Sequence, residues 1–199
     1  MNWITKIIKA GEKIKTAIRE RSTKADIANS DWTSCCRGPI LKKDLEANLW
    51  VCPDCNKHHY ISPTNRFNLM FGKDGWKKIE SPHPPPDPYK WEDTKKYVDR
   101  LKDAKKITGQ DNAILSCEAK INNIDVVVSA VDFKFIGGSI SMAEGENVLA
   151  AVQTALDKKC PYIFVSASGG MRMMTNILSL MQMTRMTVGI NALREKNLP

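Results

Sequence analysis

Apolar residues recur along this chain in two rhythms. Near the start, Ile4, Ile7, Ile8, Ile14 and Ile18 return at helical spacing, with Lys6, Lys9, Lys13, Lys15 and Arg19 among them. That spacing predicts an amphipathic basic helix over 2–21, suited to docking on a partner or, as a second reading, to a membrane surface. Residues 92–107 share the period: Tyr97, Val98, Leu101 and Ala104 lie on one side, lysines lie opposite, and Gly109 is the stop. From about 113 the rhythm shortens. Residues 113–121 and 124–131 predict two strands joined at Asn122-Asn123, a favoured tight-turn pair, and the run Val126-Val127-Val128 predicts a buried strand. Residues 145–157 return to a helix, with Val148, Leu149, Val152 and Leu156 on one face. A short buried strand follows over 162–166, and a further helix over 172–195.

Glycine and proline punctuate these elements. Residues 81–90, Ser-Pro-His-Pro-Pro-Pro-Asp-Pro-Tyr-Lys, cannot hold a helix or a central strand, because proline lacks the amide donor and fixes φ. They read as a linker that leaves His83 in solvent. Gly137-Gly138 follows the second strand and Gly169-Gly170 follows the third, so strand, glycine pair and helix occur twice. Four segments result: a basic helix over 1–25, a cysteine-bearing segment over 26–62, a linker and helix over 63–110, and an α/β core over 111–199.

Composition narrows the function classes. The chain has 199 residues, of which 42% are hydrophobic and 26% charged, which excludes a wholly disordered polymer. No apolar run approaches the roughly 18 residues of a membrane-spanning helix. The net charge of +8 can attract phosphates, acidic partners or nucleic acid without choosing among them. No secretory signal is visible at the start, so a cytoplasmic location is expected and clustered cysteines read as metal ligands before disulfides.

Cys52-Pro53-Asp54-Cys55 is a C-x-x-C knuckle whose two thiolates can face one ion, and zinc asks for four ligands in a tetrahedron. Cys35 and Cys36 are adjacent, so a second knuckle is not present as written. Either both bind in a distorted loop, or one binds and His58 or His59 supplies the fourth ligand. A segment of about 30 residues buries too little apolar surface to fold unaided, so such a zinc would be structural.

The second glycine pair sits in Ser166-Ala167-Ser168-Gly169-Gly170-Met171-Arg172, where a strand hands over to a helix. Glycine lets the backbone approach a ligand, and amides at a helix start carry partial positive charge. Together they can hold an oxyanion such as the enolate oxygen of a thioester. Phe135-Ile136-Gly137-Gly138-Ser139 follows the same logic more weakly. Two tight turns without chemistry is the competing reading. No acid–base constellation, P-loop or dinucleotide fingerprint accompanies them, and Met171, Met173, Met174, Met181, Met183 and Met186 read as core packing.

Several stretches taken in order resemble one family. Trp32-Thr33-Ser34-Cys35, 43–49, Val51-Cys52-Pro53-Asp54-Cys55, 94–101 with Thr108-Gly109, 133–139, Ser166-Ala167-Ser168-Gly169-Gly170 and 178–183 are similar to the carboxyltransferase β subunit of bacterial acetyl-CoA carboxylase. The resemblance implies an α/β, crotonase-like (ClpP/crotonase) core of ββα units preceded by a four-cysteine zinc ribbon, here Cys35, Cys36, Cys52 and Cys55. It implies carboxyl transfer from carboxybiotin to acetyl-CoA, giving malonyl-CoA for fatty-acid synthesis. The expected partners are a carboxyltransferase α subunit, forming an α2β2 hetero-oligomer, and a biotin carboxyl carrier protein. Gly169 and Gly170 would stabilise the enolate, Gly137 and Gly138 would shape the acyl-CoA pocket, and Arg172 and Lys134 are candidates for CoA phosphate contact.

The chain departs from the family at three points. The first knuckle lacks its two intervening residues. Met171, Met174 and Thr175 stand where the family has Ala, Gln and Glu. The stretch 113–199 is short for a whole crotonase-like core, so an incomplete β subunit is expected. The rival expectations are a zinc-ribbon module that contacts nucleic acid, and a carboxyltransferase for another acyl-CoA.

Overall fold

The structure, a computed structural model, describes residues 31–35 and 38–199. The expected basic helix over 2–21, together with Cys36 and Arg37, lies outside the described residues. The described residues divide into two compact units, one ending at Ile61 and one spanning 62–199.

In the first unit, β1 (Trp32–Cys35) pairs antiparallel with β2 (Gly38–Leu41), and α1 (Lys42–Ala47) follows directly. Leu45 is fully buried. A tight loop then wraps the knuckle. Val51 bridges His58, the Cys52 amide donates to the Lys57 carbonyl at 2.9 Å, and the His59 amide donates to the Trp50 carbonyl at 2.8 Å.

The second unit is an α/β sandwich. Its sheet has the order β3 (Trp76–Lys78), β4 (Ile114–Ile121), β5 (Ile124–Val131) and β6 (Tyr162–Val165). β4 and β5 form the expected hairpin, with Asn122 at φ 50° and Asn123 at φ 69°, the left-handed backbone that a two-residue hairpin turn requires. β6 runs parallel to β5, which demands a crossover, and α4 (Met142–Lys158) supplies it. One sheet face packs Ile114, Val127 and Val131 against Val148, Ala151, Val152 and Ala155 of α4. The other face packs Leu115, Cys117, Val126 and Val128 against Phe67. Both faces are covered, which explains why β5 carries the run Val126-Val127-Val128 without alternation.

That second cover corrects the reading of 63–110 as linker and helix. α2 (Pro63–Phe71) and β3 lie within it. α2 starts where the Ser62 hydroxyl accepts the Asn65 amide at 3.2 Å with Pro63 in the first turn. Phe67 meets Trp76 edge-on at 5.3 Å between ring centroids. The helix expected over 92–107 is α3 (Tyr97–Thr108). It begins later because the Asp93 carboxylate accepts the Lys95 amide at 3.0 Å and holds a turn there. α4 begins earlier than 145 because Ser141 and Glu144 form a capping box. The last helix, α5 (Asn176–Glu195), begins after a short 3-10 turn at Met173–Thr175 rather than at 172.

The methionine reading is also corrected. Met186 packs against the core, but Met173 is 79% exposed and Met181 and Met183 are about half exposed. α5 turns Ser179, Gln182 and Leu193 inward instead. Gln182 fits against Gly145 of α4, where an added Cβ would lie 2.2 Å from its Oε1, so the helices cross on small and polar positions.

A polar seam runs through the layer between sheet and helix. Ser116 and Ser129, cross-strand partners, bring their hydroxyls to 2.6 Å; Ser116 also donates to Asn147 of α4, and the Tyr162 hydroxyl donates to Ser129 at 3.0 Å. Among the described residues, no helix is long and apolar enough to cross a membrane.

Candidate active site at the paired glycine turns

Because β5 and β6 are neighbours and parallel, their carboxyl ends lie on one side of the sheet, where ligands of open α/β sheets bind. β5 leads into the turn Ile136–Gly138, and β6 leads into the turn of 166–171. The two turns are stitched together by their backbones. The Gly169 amide donates to the Gly137 carbonyl at 2.9 Å, the Ile140 amide to the Gly170 carbonyl at 2.9 Å, and the Arg172 amide to the Ile140 carbonyl at 2.8 Å.

Glycine is required where they touch. Gly138 sits at φ 63°, and a Cβ there would lie 2.3 Å from the Ala167 carbonyl oxygen. Ile136 adopts φ 47°, a left-handed backbone rare for a β-branched residue and of the strained kind that gathers at ligand sites. Gly170 has φ 101°, and its amide donates to the Ser168 hydroxyl at 3.0 Å. The expectation that both amides of the second pair stand ready for an oxyanion is therefore met at neither in this state. Gly169 donates to a main-chain carbonyl within the stitch. Gly170 donates to an exposed hydroxyl that can rotate away.

Arg172 is turned inward and is 3% exposed, which removes it from contact with a phosphate in solvent. Its Nη2 lies 2.5 Å from both Glu144 Oε1 and the Ser139 carbonyl, its Nη1 donates to the Tyr97 hydroxyl at 2.9 Å, and its Nε donates to Ser139 Oγ at 3.1 Å. Glu144 is fully buried and also accepts the Ala113 amide at 3.0 Å and the Ser141 amide at 2.9 Å. Burial pushes the Tyr97 phenol above its ordinary value, although the guanidinium beside it pulls the other way. Burial works against the charge on Arg172, but Glu144 and Tyr97 outweigh it and hold the guanidinium above its usual range. A cavity of about 490 Å³ lies beside this network, lined by His83, Tyr97, Leu101, Ser141, Glu144 and Arg172 among others. His83 is exposed, as expected, and so is Lys134.

In the first unit, the sulfurs of Cys35, Cys52 and Cys55 lie within 4.8 Å of one another, with Cys35 and Cys55 at 3.4 Å. Neither His58 nor His59 joins that group. His59 Nε2 is buried without a hydrogen-bond partner among the described residues, and His58 is exposed.

The glycine pairs and the knuckle were visible in the sequence; Glu144 was not, and Tyr97 read only as part of a helix's apolar side. The Ser-x-x-Glu spacing of Ser141 and Glu144 signals a helix start, but nothing local says that the same carboxylate meets an arginine 28 positions on.

Residues 96–197, just over half of the chain, match the carboxyl transferase domain family. The chain belongs to that family. This carboxyl transferase stretch runs from the start of α3 through α5 and takes in both glycine turns. The acetyl-coenzyme A carboxylase carboxyl transferase subunit beta of Pelagibacter ubique is 54% identical over 199 residues, covering all of this chain and 64% of the relative. The same subunit of Beijerinckia indica subsp. indica is 39% identical over 201 residues, covering 67% of its length. The chain thus spans a little under two thirds of the Pelagibacter relative. A solved Pseudomonas malonate decarboxylase hetero-tetramer, in complex with malonate, shares the fold at a TM-score of 0.50 and 14% identity, over 68% of this chain and 48% of that one.

Proposed function

We propose that this chain belongs to the β subunit of an acetyl-CoA carboxylase carboxyltransferase and acts in the transfer of a carboxyl group from carboxybiotin to acetyl-CoA, giving malonyl-CoA for fatty-acid synthesis in the cytoplasm. The observation that carries the reading is the stitched pair of glycine turns at the carboxyl ends of adjacent parallel strands. The thioester carbonyl is to lie over the second turn. There the Gly170 amide, freed when the Ser168 hydroxyl rotates, donates to the oxygen on which enolate charge develops. Gly169 serves as a staple through Gly137, and Gly138 permits the close approach of the first turn. Carboxybiotin, brought by a biotin carboxyl carrier protein, gives up its carboxyl group by cleavage of the N–carboxyl bond; the enolate carbon forms the new C–C bond, and the proton lost from the acetyl methyl ends on the biotin nitrogen. A carboxyltransferase α subunit completes the assembly, with α2β2 as the proposed stoichiometry.

The test is malonyl-CoA formation when the chain is combined with a carboxyltransferase α subunit and carboxybiotin. Gly170→Val places a β-branched residue at φ 101° and is expected to lower turnover about a hundredfold, the usual loss on removing one oxyanion donor. Turnover unchanged by that substitution rules out the donor role. Propionyl-CoA in competition with acetyl-CoA reads acyl specificity.

We also propose a structural zinc ion on Cys35, Cys52 and Cys55. Zinc–sulfur bonds of about 2.3 Å in a tetrahedron set thiolates about 3.8 Å apart, and the three sulfurs cluster at that scale. About one zinc per chain is expected on metal analysis. A content far below that, or one unaltered by Cys55→Ser, removes the proposal.

A further inference from the structure

We propose that Arg172 is a positioning residue which, clamped by Glu144 and Tyr97, holds the two glycine turns in the register that aims the Gly170 amide; the inference rests on the enolate-binding reading above. Three observations converge on it. Arg172 lies two positions after Gly170, and Ser139 lies one position after Gly138, so its grip on Ser139 Oγ and the Ser139 carbonyl ties the end of one turn to the end of the other. The anchor for that grip is rigid. Glu144 is fixed by the Ala113 and Ser141 amides, and Tyr97 is 1% exposed on α3. Finally, a buried ion pair is a poor source of stability, since apolar residues of equal volume do as well or better. A fork of donors placed beside two stitched turns has its value in direction, and only the planar guanidinium can serve Ser139, Glu144 and Tyr97 at once.

The diagnostic variant is Arg172→Lys, which keeps the buried charge beside Glu144 but loses the fork. Tyr97→Phe keeps the ring and removes one acceptor. The readout is solvent exchange of the Gly169 amide by NMR on the whole 199-residue chain, with Val127 and Val128 in β5 as controls. Arg172→Lys is expected to speed Gly169 exchange by about tenfold and Tyr97→Phe by about threefold, with Val127 and Val128 within about twofold of the parent. In the assembled enzyme the same order is expected in kcat, with the KM for acetyl-CoA held within about twofold, because a misaimed amide weakens the transition state more than the ground state. Gly169 exchange unaltered by Arg172→Lys overturns the clamp. Exchange that rises equally at Val127 overturns it too, since the arginine is then merely structural. The exchange measurement needs no turnover, so a parent assembly that makes no malonyl-CoA counts against the function alone.

Discussion

At Gly138 a single methyl group decides whether the two turns can meet. An added Cβ would lie 2.3 Å from the Ala167 oxygen and 3.0 Å from Val131 Cγ1, on a backbone at φ 63°. Neither neighbour is the loose end of a flexible side chain. Gly138→Ala is expected to cost about 2–3 kcal/mol, read as a lower urea midpoint, and to abolish malonyl-CoA formation by the assembly. A midpoint within error of the parent would mean that the turns part easily. At this scale the sequence shows which positions are unusual and not what they do. The glycine doublet after the 162–166 strand stands out in the string, yet the partner of the Gly169 amide is a carbonyl 32 positions earlier, which no local pattern announces. Arg172 is the sharper case. The family resemblance makes it a candidate for CoA phosphate contact, and only the burial of Glu144 against it reveals that its counter-charge is already inside the protein.

Among the elements, α4 and α5 show how small residues set a helix crossing. A Cβ on Gly189 would lie 2.9 Å from Leu149 Cδ2. That atom is the tip of a half-buried side chain in an open groove of about 450 Å³, so it can move aside. Replacing a mid-helix glycine by alanine gains up to about 1 kcal/mol of helix propensity. Gly189→Ala is therefore expected to raise thermal stability slightly, and a clear fall in melting temperature would show that Leu149 has nowhere to go. Element existence was legible from periodicity in β4, β5, α4 and β6. The misses share one cause. α2 and β3 are short, and the apolar residues of α2, Phe67, Leu69, Met70 and Phe71, are bunched at its end without a one-sided period, so the two elements read as linker until the sheet face they cover is seen. The methionines of α5 misled for the opposite reason, since apolar composition without a one-sided period does not say which side is buried.

For the folded unit as a whole, two weak acids are held neutral inside the sheet. Burial pushes the Cys117 thiol up to about 12 and the Tyr162 phenol up to about 12, from ordinary values of 9.0 and 10.0. Between the ordinary and the shifted values the native chain keeps protons that the unfolded chain has lost. Stability is therefore fully present below the ordinary values and falls as pH rises toward about 12. Urea midpoints measured from neutral pH upward are expected to hold level and then decline in that window, with a shallower decline in Tyr162→Phe. A midpoint independent of pH there would remove both groups from the account. The α/β class of this unit was legible from strand, glycine and helix in alternation, and the segment boundary expected after 62 falls one residue from the division after Ile61.

The facing hydroxyls of Ser116 and Ser129 have an effect on assembly that their size conceals. On the face of Leu115, Cys117, Ala119, Val126, Val128 and Ala130 the two strands are apolar throughout, so there a sliding hairpin would find apolar neighbours at almost any offset and that face alone would not arrest it. A slip of two places would set Ser116 opposite a valine and break the hydroxyl pair, at about 1 kcal/mol for the lost hydrogen bond. The pair thus works as a latch that singles out one alignment of the ribbon, and through that alignment fixes where the chain emerges to make its first glycine turn.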